Sequence, residues 1–553
     1  MKRIDIFVFL IIIGVSLVLL KDLFIPGFYT SHDGAHQIVR LYYFDQLLHD
    51  GQFPPRWVGG LLNGFGYPLF VFSYHFPWFI GELLHLIGLS IINSIKMTFL
   101  VGFIISGITM YIFQKELFGR ISAVAGTAIY LLAPYRFSNI FVRAAIGDAT
   151  CFIFPPLIFL SLYKLKQSHS IDWKWIILGG LSFSGLLLSH AMVFAFFFIT
   201  IFFYVLFWLL LIKKKKILFF SALGLILLGL SLSAYYLIPS FVERDLTNFS
   251  QIISSVYSNV TFLNIKQLIY SPWGYGTMNA PEGGMSLQLG ITQWLVAGCA
   301  FLLLGFLIIK KSMTHNKVFL PMEAFFYLLI FSVSIFLMLP ISSFFWQFFN
   351  RFILIDFTWR ILALSIFSIS ILAGFIISQV KHQWLLVIFL IGLALYANRN
   401  HLRINQVQDW SVSFYLKLEK TTNSWDEYTP RWVHRDLIEK PQPVAKLLDQ
   451  TGQIVINEKK SNYLSLWVKV PKQAKMRINT IYYPGWTVLV NNHPIKIDYE
   501  SSGLMEFSVN PGQSQITARF GETPLRLGSD LLSLLSIGFV GSVIFIKMKT
   551  RKR

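Results

Sequence analysis

Tyr29-Thr30-Ser31-His32-Asp33-Gly34-Ala35-His36 sets a carboxylate between two imidazoles, just after the first long apolar run. A second acid follows in Arg143-Ala144-Ala145-Ile146-Gly147-Asp148, where another apolar run begins. A carboxylate at such a boundary can take a proton from a hydroxyl. Arg136, Arg143 and Arg360 also stand at the ends of apolar runs, where a guanidinium can grip a phosphate through two parallel N–H bonds. His32, His36 and Asp33 are spaced to share a divalent metal if the segment is helical, although no third strong ligand lies nearby. Trp273 and Tyr275, in Trp273-Gly274-Tyr275-Gly276, offer aromatic faces for a sugar, with glycines that let the backbone come close. Each group has a plainer reading too. Asp33 and Asp148 are good helix N-caps, arginines at span ends snorkel to lipid headgroups, and aromatic residues populate membrane interfaces.

The elements that position these groups are mostly apolar. Of 553 residues, 55% are hydrophobic and 13% charged, with a mean hydropathy of +0.60. That balance identifies a polytopic membrane protein. The net charge of +20 would suit a nucleic-acid partner in a soluble chain. Here the basic residues sit in short clusters between apolar runs, which is an orientation signal, and no nucleic-acid partner is expected. Cys151 and Cys299 fall in expected spans, as buried thiols without disulfide or metal spacing. Met1-Lys2-Arg3 and the run behind it read as an uncleaved signal-anchor.

About twelve apolar stretches approach the ~20 residues needed to cross a bilayer. They are 5–24, 93–114, 119–134, 149–166, 173–190, 191–212, 217–238, 290–310, 318–339, 355–379, 384–397 and 528–547. With the N-terminus in the cytoplasm, the basic loops 114–120, 164–174, 213–216, 310–317, 381–382 and the tail 547–553 all fall inside. Counting 67–90 as a further span would invert everything downstream. That segment, with His75, Pro77, Glu82 and His85, is therefore an interfacial or re-entrant piece. Residues 25–92 become one long external loop opening with Asp33.

The remaining external pieces are 135–148; 239–289, with a solvated Glu243-Arg244-Asp245; and 340–356, with Trp346, Arg351 and Asp356. His190 reads as an interfacial residue at an outer turn. Residues 398–527 differ in kind. Tyr463–Val470 alternates with period two and stops at Pro471. Asn491-Asn492 and Asn510-Pro511-Gly512-Gln513 each separate two strand-like runs, which predicts two hairpins in a small antiparallel sandwich. Trp486 is read as part of its core, with acceptor-glycan binding as the alternative. The expected organisation is a transmembrane domain at 1–397, an extracytoplasmic β-rich domain at 398–527, and a final anchor with a basic cytoplasmic tail at 528–553.

A family resemblance rests on several stretches in order. They are Ser31-His32-Asp33-Gly34, Gly64-Phe65-Gly66-Tyr67-Pro68-Leu69-Phe70, Leu117-Phe118-Gly119-Arg120, Arg143–Asp148, Ser271–Gly276 before Gly283–Gly290, Phe357-Thr358-Trp359-Arg360, and Tyr482-Tyr483-Pro484-Gly485-Trp486. Together the chain resembles the bacterial YfhO-type multipass proteins, also labelled 6-pyruvoyl-tetrahydropterin synthase-related membrane proteins. These belong to the GT-C superfamily of polyprenyl-phosphate-sugar-dependent glycosyltransferases. The family pattern has Phe-Pro-Trp-Arg where this chain has Phe357-Thr358-Trp359-Arg360, and no zinc-binding His cluster of a pterin synthase is visible.

The resemblance implies a GT-C-like fold with a catalytic acid in the first external loop, where Asp33 stands. A second acid in the next external loop corresponds to Asp148. It implies a polyprenyl-phosphate-linked sugar as donor and a cell-envelope glycan, lipid or protein as acceptor. Arg143, Arg360 and Arg136 would hold the lipid phosphate, and His32, His36, Trp273 and Tyr275 would meet sugar or acceptor. No cofactor is required, with a divalent metal at Asp33 and His36 as an option. The implied place is the plasma or inner membrane. A transporter or lipid flippase, and a non-catalytic envelope assembly protein, are the alternatives. The first needs polar groups at mid-span, whereas the acids here gather at outer ends.

Overall fold

A computed structural model describes residues 3–256, 260–278, 284–314, 321–349 and 357–551; Gly283, Arg351 and Asp356 lie outside them. Each of the twelve expected stretches overlaps helix, with 149–166 and 217–238 each divided between two helices. Among the described residues, seven helices are long and apolar enough to cross a membrane, and eight if the bent pair Met322–Met338 and Pro340–Phe349 forms one span. The shortfall from twelve is a matter of length. Arg120–Leu131 has 12 residues and rises only about 18 Å, against a hydrocarbon core of about 30 Å. Trp173–Leu187 and Gln383–Asn398 are also short apolar helices. Segment 67–90 forms two pieces, Leu69–Phe72 and Phe76–Leu86, neither long enough to span.

The bundle core is aromatic. Phe113, Phe159, Phe197, Tyr204, Tyr327 and Phe367 belong to one buried cluster. Asp5 on Arg3–Leu19 is buried between Lys115, 3.2 Å away, and Arg120, 3.1 Å away. Cys151 is buried, but Cys299 is exposed on the outside of its helix. Span membership alone therefore does not bury a thiol, because a helix in lipid presents one face to the acyl chains.

The polar C-terminal third forms strands, with one pairing back to the first loop. β1 (Phe28–Tyr29) is antiparallel to β2 (Val407–Gln408). Beyond it lie β3 (Ala445–Leu447), β4 (Gln453–Lys459), β5 (Tyr463–Val470), β6 (Ala474–Ile481), β7 (Trp486–Val490), β8 (His493–Ile495), β9 (Leu504–Val509) and β10 (Gly512–Phe520). They make a five-stranded sheet, β4-β5-β10-β7-β8, and a three-stranded sheet, β3-β6-β9. Their buried faces, with Leu466, Val468 and Ile516 from one and Met476, Ile478 and Phe507 from the other, share a hydrophobic cluster.

The Asn491-Asn492 hairpin forms between β7 and β8, with both asparagines at positive φ (50° and 66°), as its two-residue turn requires. The second expected hairpin does not form. β9 pairs with β6 and β10 with β5 and β7, so 510–511 cross between sheets. Both flanking strands alternate and can face the shared core from opposite sides.

These sheets are fastened to the rest of the chain. Trp57 of the first loop packs against Trp486 (5.7 Å), Phe520 (5.4 Å) and Tyr483 (6.1 Å). Trp486 is therefore part of this junction and 6% exposed. Glu243, expected in a solvated loop, is instead buried, gripped by Arg526 at 2.7 Å and by the Tyr483 hydroxyl at 2.8 Å. A short acidic tripeptide looks solvated in sequence, because its arginine partner lies 283 residues away.

Candidate functional site

The 28–33 turn is seated on the 138–144 segment by backbone bonds. Tyr29 donates its hydroxyl to the Ile140 carbonyl (2.6 Å), and the amides of His32 and Asp33 donate to the carbonyls of Val142 (3.1 Å) and Arg143 (2.8 Å). Gln37 adds a side-chain bond to the Ala144 carbonyl at 3.1 Å. Ser138–Arg143 forms a turn of π-helix, a widened turn common at functional sites. It ends on Ala144 in the left-handed region, φ 53°, a conformation costly for alanine. Gly34 is required by close approach, since a Cβ there would lie 2.4 Å from the Phe28 ring and from Ser31 Oγ.

Asp33 occupies the N-cap position of helix Gly34–His49, yet its side chain makes no capping bond. It is half-buried. Asp148, in Ile146–Cys151, is 2% exposed. Its Oδ2 accepts from Arg143 Nη1 at 2.5 Å, and the same nitrogen donates to Asn139 Oδ1 at 2.7 Å. Asp148 Oδ1 lies 3.6 Å from Arg360 Nη1 and 3.7 Å from His190 Nε2. Arg360 Nη1 in turn donates to His190 Nε2 at 2.5 Å. The indole of Trp359 backs both guanidiniums, 4.5 Å from Arg143 Cζ and 5.7 Å from Arg360 Cζ.

The two aspartates share one neighbourhood. Burial pushes the Tyr74 hydroxyl up to about 12; Arg40 opposes this, and the charges of Asp148 and Asp33 both add to it. Tyr74 also packs on the His190 ring at 5.7 Å. Gly147 brings the Asp148 turn against the Ser189 carbonyl, which a Cβ would meet at 2.6 Å. Asp148, His190 and Arg360, far apart in the chain, thus converge through close backbone packing.

Of the aromatic candidates, Tyr275 lies beside His32. His32 Nε2 lies 3.0 Å from the Tyr275 carbonyl, and the Tyr275 hydroxyl donates to the Ile404 carbonyl at 2.8 Å. Trp273 packs edge-to-face on Tyr275 (5.9 Å) and on His401 (4.9 Å). His401 is 5% exposed, and burial pushes its imidazole down to about 4, so it is neutral at physiological pH. His36 points elsewhere, its Nδ1 2.6 Å from Glu419. Among the described residues, no group of three or more His, Cys, Asp or Glu is placed to hold a metal.

Arg136 does not join Arg143 and Arg360. It is 2% exposed, donates to Ser106 Oγ at 2.7 Å, and is ringed by Phe103, Phe152 and Tyr130. Neither it nor Arg143, 7% exposed, snorkels to a surface. Asn139, His401 and Glu419 carry no local signal in the sequence, Trp359 carries one in its place beside Arg360, and His190, expected as an interfacial residue, meets Arg360.

No family model and no curated protein matches the chain. Among solved structures it is similar to ArnT from Cupriavidus metallidurans bound to undecaprenyl phosphate. The identity is 13% and the TM-score 0.39, over 74% of this chain and 67% of that one. The apo form of the same protein gives 14% and 0.37, over 73% and 67%.

Charge defines what the arrangement can do. Two guanidiniums face the carboxylate of Asp148 in a largely buried setting. A low dielectric strengthens the pull of a guanidinium on an anion. Asp33 sits nearby without a capping bond. A cationic cradle next to an available carboxylate can bind an anionic leaving group and take a proton from an incoming hydroxyl.

Proposed function

We propose that this chain is an integral-membrane glycosyltransferase of the GT-C type. It moves a sugar from a polyprenyl-phosphate donor to a cell-envelope acceptor on the extracytoplasmic face. The observation that carries the reading is the Asp33 carboxylate. It stands at a helix N-cap without capping, held by its backbone against the loop that presents Arg143 and Asp148.

In this reading Asp33 takes the proton of the acceptor hydroxyl as the new glycosidic bond forms. Arg143 and Arg360 stabilise the phosphate that departs with the electron pair of the broken bond. Asp148, engaged by Arg143, orients the guanidinium pair. Arg136, buried against Ser106, contributes long-range positive charge. Trp273, Tyr275 and His32 border the sugar or acceptor, and His36 braces the helix of Asp33 through Glu419. The twelve-span topology, with both termini cytoplasmic and the sheets outside, belongs to the same proposal.

The test is transfer in proteoliposomes supplied with polyprenyl-phosphate-linked sugars. D33N is expected to express and fold as the parent does and to lose transfer. Parental activity in D33N removes Asp33 from the chemistry.

A further inference from the structure

The five-stranded sheet turns one face to the three-stranded sheet and the other to solvent. Leu464, Leu466 and Val468 of β5 and Ile516 and Ala518 of β10 are buried, so the residues between them point outward. Antiparallel pairing sets these in rows. One row is Gln453, Lys469 and Gln513, and the next is Val455, Trp467 and Gln515. Thr517 and Arg519 continue the outward side of β10. Trp486, the sequence's candidate for glycan binding, packs instead on Trp57. On this sheet Trp467 is the indole left to solvent, 37% exposed.

The side chains around it are polar and unengaged. Those of Gln453, Gln513 and Gln515 make no hydrogen bond among the described residues. The backbone beneath is fixed, because the Gln515 amide donates to Asn491 Oδ1 at 2.8 Å. Lys469 and Arg519 form no ion pair among the described residues. The acid on this face, Glu458 opposite Ser465, is matched by Lys460 at 2.9 Å. Two cations are therefore presented without a counter-charge. Arg519 pairs with Tyr463, six residues along β5 from Lys469. The rows of the two cations stand about 20 Å apart, with the indole between them.

We propose that this face binds an acidic oligosaccharide. A sugar ring lays its C–H face on the Trp467 indole, and its hydroxyls bond the amides of Gln513 and Gln515. Acidic groups on neighbouring sugars meet Lys469 and Arg519. The core of a protein interface is depleted in charged residues, whereas here Lys469 and the amides border the indole, which suits a hydroxyl-rich anionic ligand. Neither Asp33 nor Arg143 takes part, so the site stands apart from the transfer chemistry.

The probe is fluorescein-labelled hexagalacturonate, bound to the full chain in zwitterionic nanodiscs without any sugar donor and followed by anisotropy. Neutral galactohexaose and a hexa-aspartate peptide serve as competitors, one with the sugar alone and one with the charge alone. Both are expected to compete more weakly than unlabelled hexagalacturonate. W467A is expected to weaken hexagalacturonate about tenfold, through loss of one stacked ring, and W467F to keep part of the affinity. K469M is expected to weaken it about threefold, and only at low salt.

Absence of hexagalacturonate binding, or unchanged affinity in W467A, overturns the proposal. Galactohexaose competing as well as the acidic hexamer overturns the acidic class, and hexa-aspartate doing so overturns the saccharide. Trp467 faces solvent, so W467A leaves no cavity and should keep the parental thermal midpoint. K469M alters one exposed side chain and tests the same face independently of that variant; full affinity in K469M at low salt also overturns the proposal.

Discussion

Replacing Asp148 with asparagine removes the carboxylate that Arg143 and Arg360 both face. Arg143 donates to its carboxylate at 2.5 Å, and Arg360 approaches within 3.6 Å; the three side chains are 2%, 8% and 11% exposed for Asp148, Arg143 and Arg360. An asparagine oxygen can still accept from Arg143, but the charge that faced both guanidiniums packed around Trp359 is gone. Removing one partner of a buried pair costs about 3–5 kcal/mol, and D148N should lose stability in that range. D33N removes a half-buried carboxylate that caps nothing, and its cost should stay within about 0.5 kcal/mol. The assay is denaturant unfolding of the purified protein in detergent, read by near-UV dichroism and run beside sugar transfer. D148N should lose both stability and transfer, D33N transfer alone. R143M/D148N should recover part of the lost stability, because one stranded charge has gone. A D148N protein as stable as the parent would refute the reasoning, as would a D33N protein destabilised to the same degree.

Glu82 is 3% exposed, and its buried Oε2 has no donor. Burial, with the adjacent Asp45 carboxylate adding to it, pushes its pKa up. E82Q should therefore stabilise the protein by about 1 kcal/mol near neutral pH by giving Asp45 an N–H, measured as a shift in thermal midpoint. In β9, burial pushes the Glu506 carboxyl up, but bonds from Lys475, Ser502 and Arg477 outweigh it and hold it below its ordinary value of 4.5. Its contribution is thus full above about pH 4.5 and drains as pH falls through the lower native value. Acid unfolding of the sheets should shift to higher pH in K475M, followed by tryptophan fluorescence.

The sequence alone determined the membrane class, the location of nearly every apolar helix and the two acids at the ends of such runs. These are local properties. A stretch of apolar residues reports burial or lipid contact wherever it ends up, and a charge at its boundary stays at the boundary. It also placed the Asn491-Asn492 turn, because two positive φ values in succession suit asparagine.

Tertiary structure alone decided who faces whom. Arg360 meets His190 across 170 residues, Tyr29 meets Ile140 across 111, and Glu243 meets Arg526 across 283. It also sent β9 and β10 to different sheets and separated Arg136 from the two arginines it resembles in sequence. Hydropathy and turn chemistry carry no information about such partners. They are set by how helices and sheets close on each other, where a glycine without a side chain, as at Gly147, lets two backbones meet.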